Sequence, residues 1–211
     1  MRRYDYYQEL KSLARDVRAK HGLTSPRVLR SDMRRIYRAE GIRIDVWRHP
    51  LRGLRGAYFN DEFGPTVMVA GGLPSEPMIF TLGHELKHHL IDRDSAAAFC
   101  SESNRGDAVE IGAEIFAAEL IFPEEDFCKQ MAAMGVEEGH CAAETIVRLK
   151  HEIATTMSYA ALAKRAEYFR FATEGSLQAV KWTKLAEELY GEPLFKRLIR
   201  SRGRRRLGED A

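Results

Sequence analysis

The sequence predicts an α+β fold in which a small, mainly antiparallel sheet packs on helices and a helical part follows toward the C-terminus. Helical periodicity at the start of the chain gives way, up to residue 70, to an alternating segment, a short aromatic pair and a short apolar run. From Pro77 onward the chain has the composition of helices separated by polar or glycine-containing turns. A length of 211 residues, with 45% hydrophobic and 30% charged, suits one globular domain with a modest appendage.

The first seventy residues predict two helices followed by three short strands. An apolar stripe over residues 4–20 is typical of an amphipathic helix, and a second helix is expected to end at Gly41, a residue suited to a C-terminal cap. Strands are expected at residues 42–47, around the pair Tyr58–Phe59, and at residues 66–70, where TVMVA lies between Gly-Pro and Gly-Gly.

The next predicted helix carries the motif His84-Glu85-Leu86-Lys87-His88. Two histidines four residues apart on a helix lie about 6 Å apart along the axis, so their imidazoles can meet at one point, as a tetrahedral zinc site requires. Glu85 can reach a water on the metal without binding the metal, and can take its proton as general base. Apolar residues surround the motif, so its polar side chains are expected to be buried and to need a partner such as a metal.

The helix predicted at residues 107–122 offers a third ligand. It is apolar nearly all round, yet Glu110 and Glu114 lie on one face, where carboxylates are costly unless paired or metal-bound. We expect Glu110 to bind zinc and Glu114 to accept a hydrogen bond from a ligand imidazole. The alternative for Glu110 is an Asp107-x-x-Glu110 capping box. Three protein ligands leave a fourth position for water, although manganese, cobalt and iron accept the same donors.

The segments IFTLGHELKHHL and VEIGAEIFAAELIFP resemble the ImmA/IrrE metallopeptidases. In that family a helix ending in F-T-x-A-H-E-x-G-H precedes a helix with E-x-x-A-[N/D]-x-F-A-A-x-L-L-M-P. The resemblance covers residues 65–125 and extends weakly to MSYAALAKR at 157–165. It implies a zincin-like fold in which two helices carry zinc on His84, His88 and Glu110.

Four departures from the family pattern leave these residues and Glu85, the implied base, in place. Lys87 stands where the family usually has Gly, Gly83 where it has Ala, and Glu114 where it has Asn or Asp, while LIFP replaces LLMP. Lys87 is expected to add a positive charge near the site.

By resemblance, the substrate is a helix-turn-helix repressor protein, and its cleavage relieves repression in a mobile element, phage or stress response. In zincins the substrate backbone adds as a strand to a sheet edge above the metal. We expect that edge to be the third strand, formed by Thr66, Val67, Met68, Val69 and Ala70. His140, His151 and Tyr159 are candidate oxyanion donors, and the position of Tyr159 in the family-like segment favours it.

The rest of the sequence predicts where the protein works and how it is divided. Three cysteines without CxxC spacing, a charged start and the lack of a long apolar run predict a cytoplasmic protein that does not enter a membrane. We expect a metallopeptidase core at residues 1–130, a helical part packed on it at 131–199, and a flexible basic tail at 200–211. Nucleic-acid binding through this tail is the less favoured alternative to a solvated terminus.

Two rival functions remain open at this point. A non-proteolytic binding module would keep the fold and the metal but regulate by contacting a repressor or DNA. A general peptidase would cut unfolded proteins without a specific partner.

Overall fold

The computed structural model describes residues 3–48, 54–93, 107–193 and 196. Within them the chain forms eight helices and three strands, which confirms the α+β class. In chain order these are α1 Arg3–Lys20, α2 Arg30–Ala39, β1 Arg43–Trp47, β2 Gly56–Asp61, β3 Gly64–Ala70, α3 Ser75–Ile91, α4 Ala108–Ile121, α5 Glu124–Ala133, α6 Ala143–Ile153, α7 Tyr159–Tyr168 and α8 Trp182–Tyr190.

The three strands form one mixed sheet with the order β1-β3-β2. β2 and β3 are an antiparallel hairpin, whereas β1 runs parallel to β3, with Arg43 opposite Thr66. The prediction that residues 66–70 form the sheet edge is therefore wrong, because β3 is paired on both sides. Val67 and Val69 point into the core, which explains the apolar run that marked this strand.

α3 and α4 pack closely against each other below the sheet. A methyl group on Gly83 of α3 would lie 3.2 Å from Cβ of Ala117 in α4, so small residues allow this approach. α1 covers the other side of α4, where Gly112 faces Tyr6 and Leu10. α4, the most apolar of the described helices, is thus covered on two sides by α3 and α1, as its composition requires.

Two arginines donate hydrogen bonds to carbonyl oxygens at the C-terminal end of α4. Arg18 of α1 donates to the carbonyl oxygens of Leu120 and Ile121, and Arg165 of α7 donates to that of Phe122. These bonds satisfy carbonyls that a helix end leaves without a partner. The later helices also add apolar side chains to the same core, so α7 is attached to α4 by both polar and apolar contacts. The expected boundary at residue 130 stays a prediction.

None of the described helices combines the length and apolar character needed to cross a membrane. Cys128 and Cys141 are free thiols, and burial raises the pKa of Cys141 to about 11, which keeps that thiol protonated. Cys100 and the predicted basic tail at residues 200–211 lie outside the described residues.

Candidate metal centre

α3 brings the two imidazoles of His84 and His88 to one point. Their Nε2 atoms are 3.3 Å apart, and the ring centroids are 5.1 Å apart with the planes inclined at 62°. The His88 side chain is fully buried, and that of His84 is 12% exposed. The four-residue spacing therefore places both rings on one face of the helix, as expected from the sequence.

The first turn of α4 adds the carboxylate of Glu110. Its Oε2 lies 3.1 Å from Nε2 of His84, and its Oε1 lies 3.6 Å from Nε2 of His88. Asp107, the residue before the helix, makes no side-chain cap bond, so its half of the alternative capping box is not formed. Glu110 thus faces the two histidines across the interface between α3 and α4.

These three side chains have the donor set and spacing that a metal ion needs. Bonds of about 2.0–2.2 Å to a tetrahedral ion place neighbouring ligand atoms about 3.3–3.5 Å apart. The observed separations of 3.1, 3.3 and 3.6 Å bracket that value. Two imidazoles and one carboxylate are also the ligand types that zinc accepts, so the cluster fits a catalytic zinc site.

Asp92, just beyond the C-terminus of α3, orients His88. Its Oδ2 lies 2.8 Å from Nδ1 of His88. Burial raises the pKa of Asp92, but hydrogen bonds from His88 and Lys87 outweigh it and hold this pKa below its usual value. Nδ1 of His88 is thus bonded to Asp92, and the ring presents its other nitrogen, Nε2, to Glu110. Sequence reasoning missed Asp92, although its position four residues after His88 was a signal.

Lys87 is buried behind the cluster. Its Nζ lies 2.6 Å from Oδ2 of Asp92 and 3.1 Å from the carbonyl oxygen of Val109, and it lies over the Tyr6 ring. Lys87 therefore brings a positive charge close to the cluster, as expected, and the Asp92 carboxylate pairs with that charge.

Glu85 lies on the side of α3 that faces the start of β2. Its side chain is almost fully buried, and a methyl group on Gly56 would lie 2.8 Å from its Oε1. Burial and, second to it, the charge of Glu85 raise the pKa of Tyr37 well above its usual value. The Tyr37 hydroxyl therefore stays protonated, and it donates to the Leu82 carbonyl.

The structure places Glu114 at an exposed position of α4. The prediction that it lies on a buried stripe is wrong, because a helix that is apolar nearly all round gives little indication of which face is covered. The carboxylate that contacts Nδ1 of His88 is that of Asp92. A hydrogen-bonding role for Glu114 toward a ligand stays a prediction.

The candidate oxyanion donors lie in the C-terminal helical part. Tyr159 stacks on Trp182 beneath Lys150, which pairs with Glu76 in the first turn of α3. Glu76 precedes His84 by eight residues, or about 12 Å along the helix. Burial, followed by the charges of Glu76 and Tyr190, raises the pKa of Tyr159, so its hydroxyl is a donor at neutral pH.

The other two candidates are exposed. Nδ1 of His140 is 2.8 Å from the carbonyl oxygen of Glu138, and His151 stacks on Tyr190 at 3.7 Å. The contacts described for these three residues involve neither His84 nor Glu110, and the oxyanion role of Tyr159 stays a prediction.

A small mixed sheet above two packed helices, with a His-His-Glu cluster between the helices, defines a zincin-like α+β protein with a candidate metal centre. The family model Peptidase_M78, described as the IrrE N-terminal-like domain, matches residues 39–167. This match covers more than half of the chain, and the chain belongs to that family. Membership confirms the resemblance seen in the two helix motifs and supports a metallopeptidase role. A comparison with curated proteins gives no match.

Proposed function

We propose that the protein is a zinc-dependent endopeptidase in which His84, His88 and Glu110 bind the metal and Glu85 is the general base. The observation that carries the proposal is the convergence of three donor groups from two helices at separations of 3.1–3.6 Å. The family supports the peptidase role, and the donor set supports zinc.

In peptide hydrolysis, residues of this chain would hold the metal and transfer the protons. Bound zinc would polarise the scissile carbonyl and lower the pKa of the attacking water. Asp92 holds His88 so that Nε2 of the ring is directed toward the candidate centre. Glu85 accepts the proton as the water oxygen bonds to the carbonyl carbon, and returns a proton to the amine nitrogen as the C–N bond breaks.

The substrate is proposed to extend along β2 instead of β3. Among the described strands β2 lies at one edge of the sheet, and it begins at Gly56 beside Glu85. A peptide added to this edge would form main-chain hydrogen bonds close to the base. The edge thus supplies the backbone recognition that the sequence reasoning assigned to residues 66–70.

The proposed substrate is a helix-turn-helix repressor, whose cleavage would relieve transcriptional repression. The motif resemblance to ImmA/IrrE metallopeptidases supports this choice. The alternative is a regulatory module that binds a repressor or DNA without cutting. The burial of Glu85 beside the sheet edge favours proteolysis, because a binding module has no need of a carboxylate there.

The Glu85→Gln variant separates the two functions. We expect this variant to keep its zinc and to lose cleavage of a co-expressed candidate repressor by about a hundredfold or more, because the proton acceptor is gone. Cleavage is read by gel and mass spectrometry, and repression by a reporter gene. Relief of repression by Glu85→Gln, with an intact repressor, would contradict proteolysis and support the binding module.

A further inference from the structure

Lys87 occupies a position that is costly for a lysine. Its side chain is fully buried, and among the described residues it makes polar contacts with Oδ2 of Asp92 at 2.6 Å and the Val109 carbonyl oxygen at 3.1 Å. The Tyr6 ring of α1 covers the ammonium group from 5.7 Å. A buried charge is stable only where paired and hydrogen-bonded groups compensate it. The partners of Lys87 must therefore stay within hydrogen-bonding distance of its ammonium group, and their positions are restricted in turn.

The first of these partners connects Lys87 to His88. A single oxygen of Asp92 accepts from Lys87 Nζ and from His88 Nδ1. The ammonium group fixes the rotamer of Asp92 and compensates its charge. The carboxylate, placed in this way, contacts Nδ1 of His88 and holds the ring in one orientation.

The second partner connects Lys87 to the helix that carries Glu110. Val109, whose carbonyl accepts from Lys87, directly precedes Glu110 in the first turn of α4. Lys87 in turn directly precedes His88 on α3. One side chain therefore links the two helices next to a histidine on one and a carboxylate on the other.

We infer that Lys87 is a positioning residue of the metal centre, which sets His88 through Asp92 and Glu110 through Val109 before any metal binds. This inference rests on the proposed function, since it takes these residues as ligands. A glycine, usual at this position in the resembling family, has no side chain that could make either contact.

The test is the zinc and cobalt affinity of the full chain, measured by competition with a chromophoric chelator. We expect Lys87→Met to weaken both affinities by about tenfold or more, as loss of a partner behind a metal ligand does. Asp92→Asn should have a similar effect. The Lys87→Met/Asp92→Asn double variant should lose less metal affinity than the product of the two single losses, because both substitutions act through the same Asp92 carboxylate.

Lys150→Met is the matched control. Lys150 is also largely buried. Its ammonium group binds the Glu76 carboxylate and the backbone carbonyl oxygens of Thr155 and Met157. Both lysine variants should lower the melting temperature of the metal-free protein. Only Lys87→Met should weaken metal binding and alter the visible absorption spectrum of the cobalt form.

Three outcomes would overturn the inference. One is a metal affinity of Lys87→Met within about twofold of the wild type, and another is an equal loss in Lys150→Met. If Lys87→Met does not fold, Asp92→Asn decides alone, and unchanged affinity there contradicts the inference. Failure of the proposed ligand set is distinguishable, because wild-type protein would then bind no metal, or His84→Ala would bind it as tightly as the wild type does. Failure of the peptidase role alone would leave these metal affinities unchanged and would show only in the Glu85→Gln experiment.

Discussion

At the scale of single residues, Gly56 leaves the space that the Glu85 carboxylate occupies. A Cβ atom at this position would lie 2.8 Å from Oε1 of Glu85 and 2.5 Å from Cγ2 of Thr81, closer than real contacts allow. We expect Gly56→Ala to displace Glu85 and lower peptidase activity by about tenfold or more while zinc content is unchanged. The measurement is cleavage rate beside metal analysis.

A second substitution isolates the contact with Glu85. Thr81→Ala removes the Cγ2 atom, so the Gly56→Ala/Thr81→Ala protein retains only the clash with the carboxylate. Restoration of full activity in this double variant would show that crowding of Thr81, and not displacement of Glu85, caused the loss.

The same scale shows which site residues the sequence could predict. Helix geometry alone brings His84 and His88 together, and the cost of a buried carboxylate points to Glu110. Asp92 could not be assigned with equal ease, because it lies just past the helix end in a polar stretch, where a charged residue is usually solvated. Its contact with His88 depends on where α3 ends and on burial by neighbouring elements.

At the scale of elements, Arg165 joins α7 to the end of α4. It donates to the Phe122 carbonyl and lies 4.0 Å from the buried carboxylate of Glu119. We expect Arg165→Met to lower the free energy of unfolding by about 1–3 kcal/mol, because the buried carbonyl loses its donor. Denaturant titration measures this change.

The adjacent residue provides the control for Arg165. Lys164 is exposed on the same helix, so Lys164→Met should leave the free energy of unfolding within about 0.5 kcal/mol of the wild type. Equal free energies of unfolding in the two variants would contradict the claim that Arg165 stabilises the contact between α7 and α4.

The sequence predicted the positions of helices and strands along the chain better than the way in which they pack together. Residues 4–20 and 107–122 correspond closely to α1 and α4, and the three strands lie where the alternation at 42–47, the aromatic pair and the apolar run predicted them. The order of the sheet could not be predicted, since the hairpin of β2 and β3 is a local feature but the parallel pairing of β1 with β3 is not. For this reason the strand expected at the edge is the central one.

At the scale of the whole molecule, one apolar core extends from Leu10 in α1 to Leu177 beyond α7. The family match at residues 39–167 likewise continues past residue 130 into α7. The helices after residue 130 therefore support the two helices that carry the candidate centre. This explains how side chains contributed by α3 and α4 are held together before a metal is present.

The central claim is that His84, His88 and Glu110 hold one catalytic metal ion, and elemental analysis of purified protein tests it most directly. Wild-type protein prepared with ample zinc should contain about one zinc ion per chain, and His84→Ala and Glu110→Ala should each contain almost none. A metal-free wild type, or a Glu110→Ala protein that keeps its full zinc content, would contradict the claim.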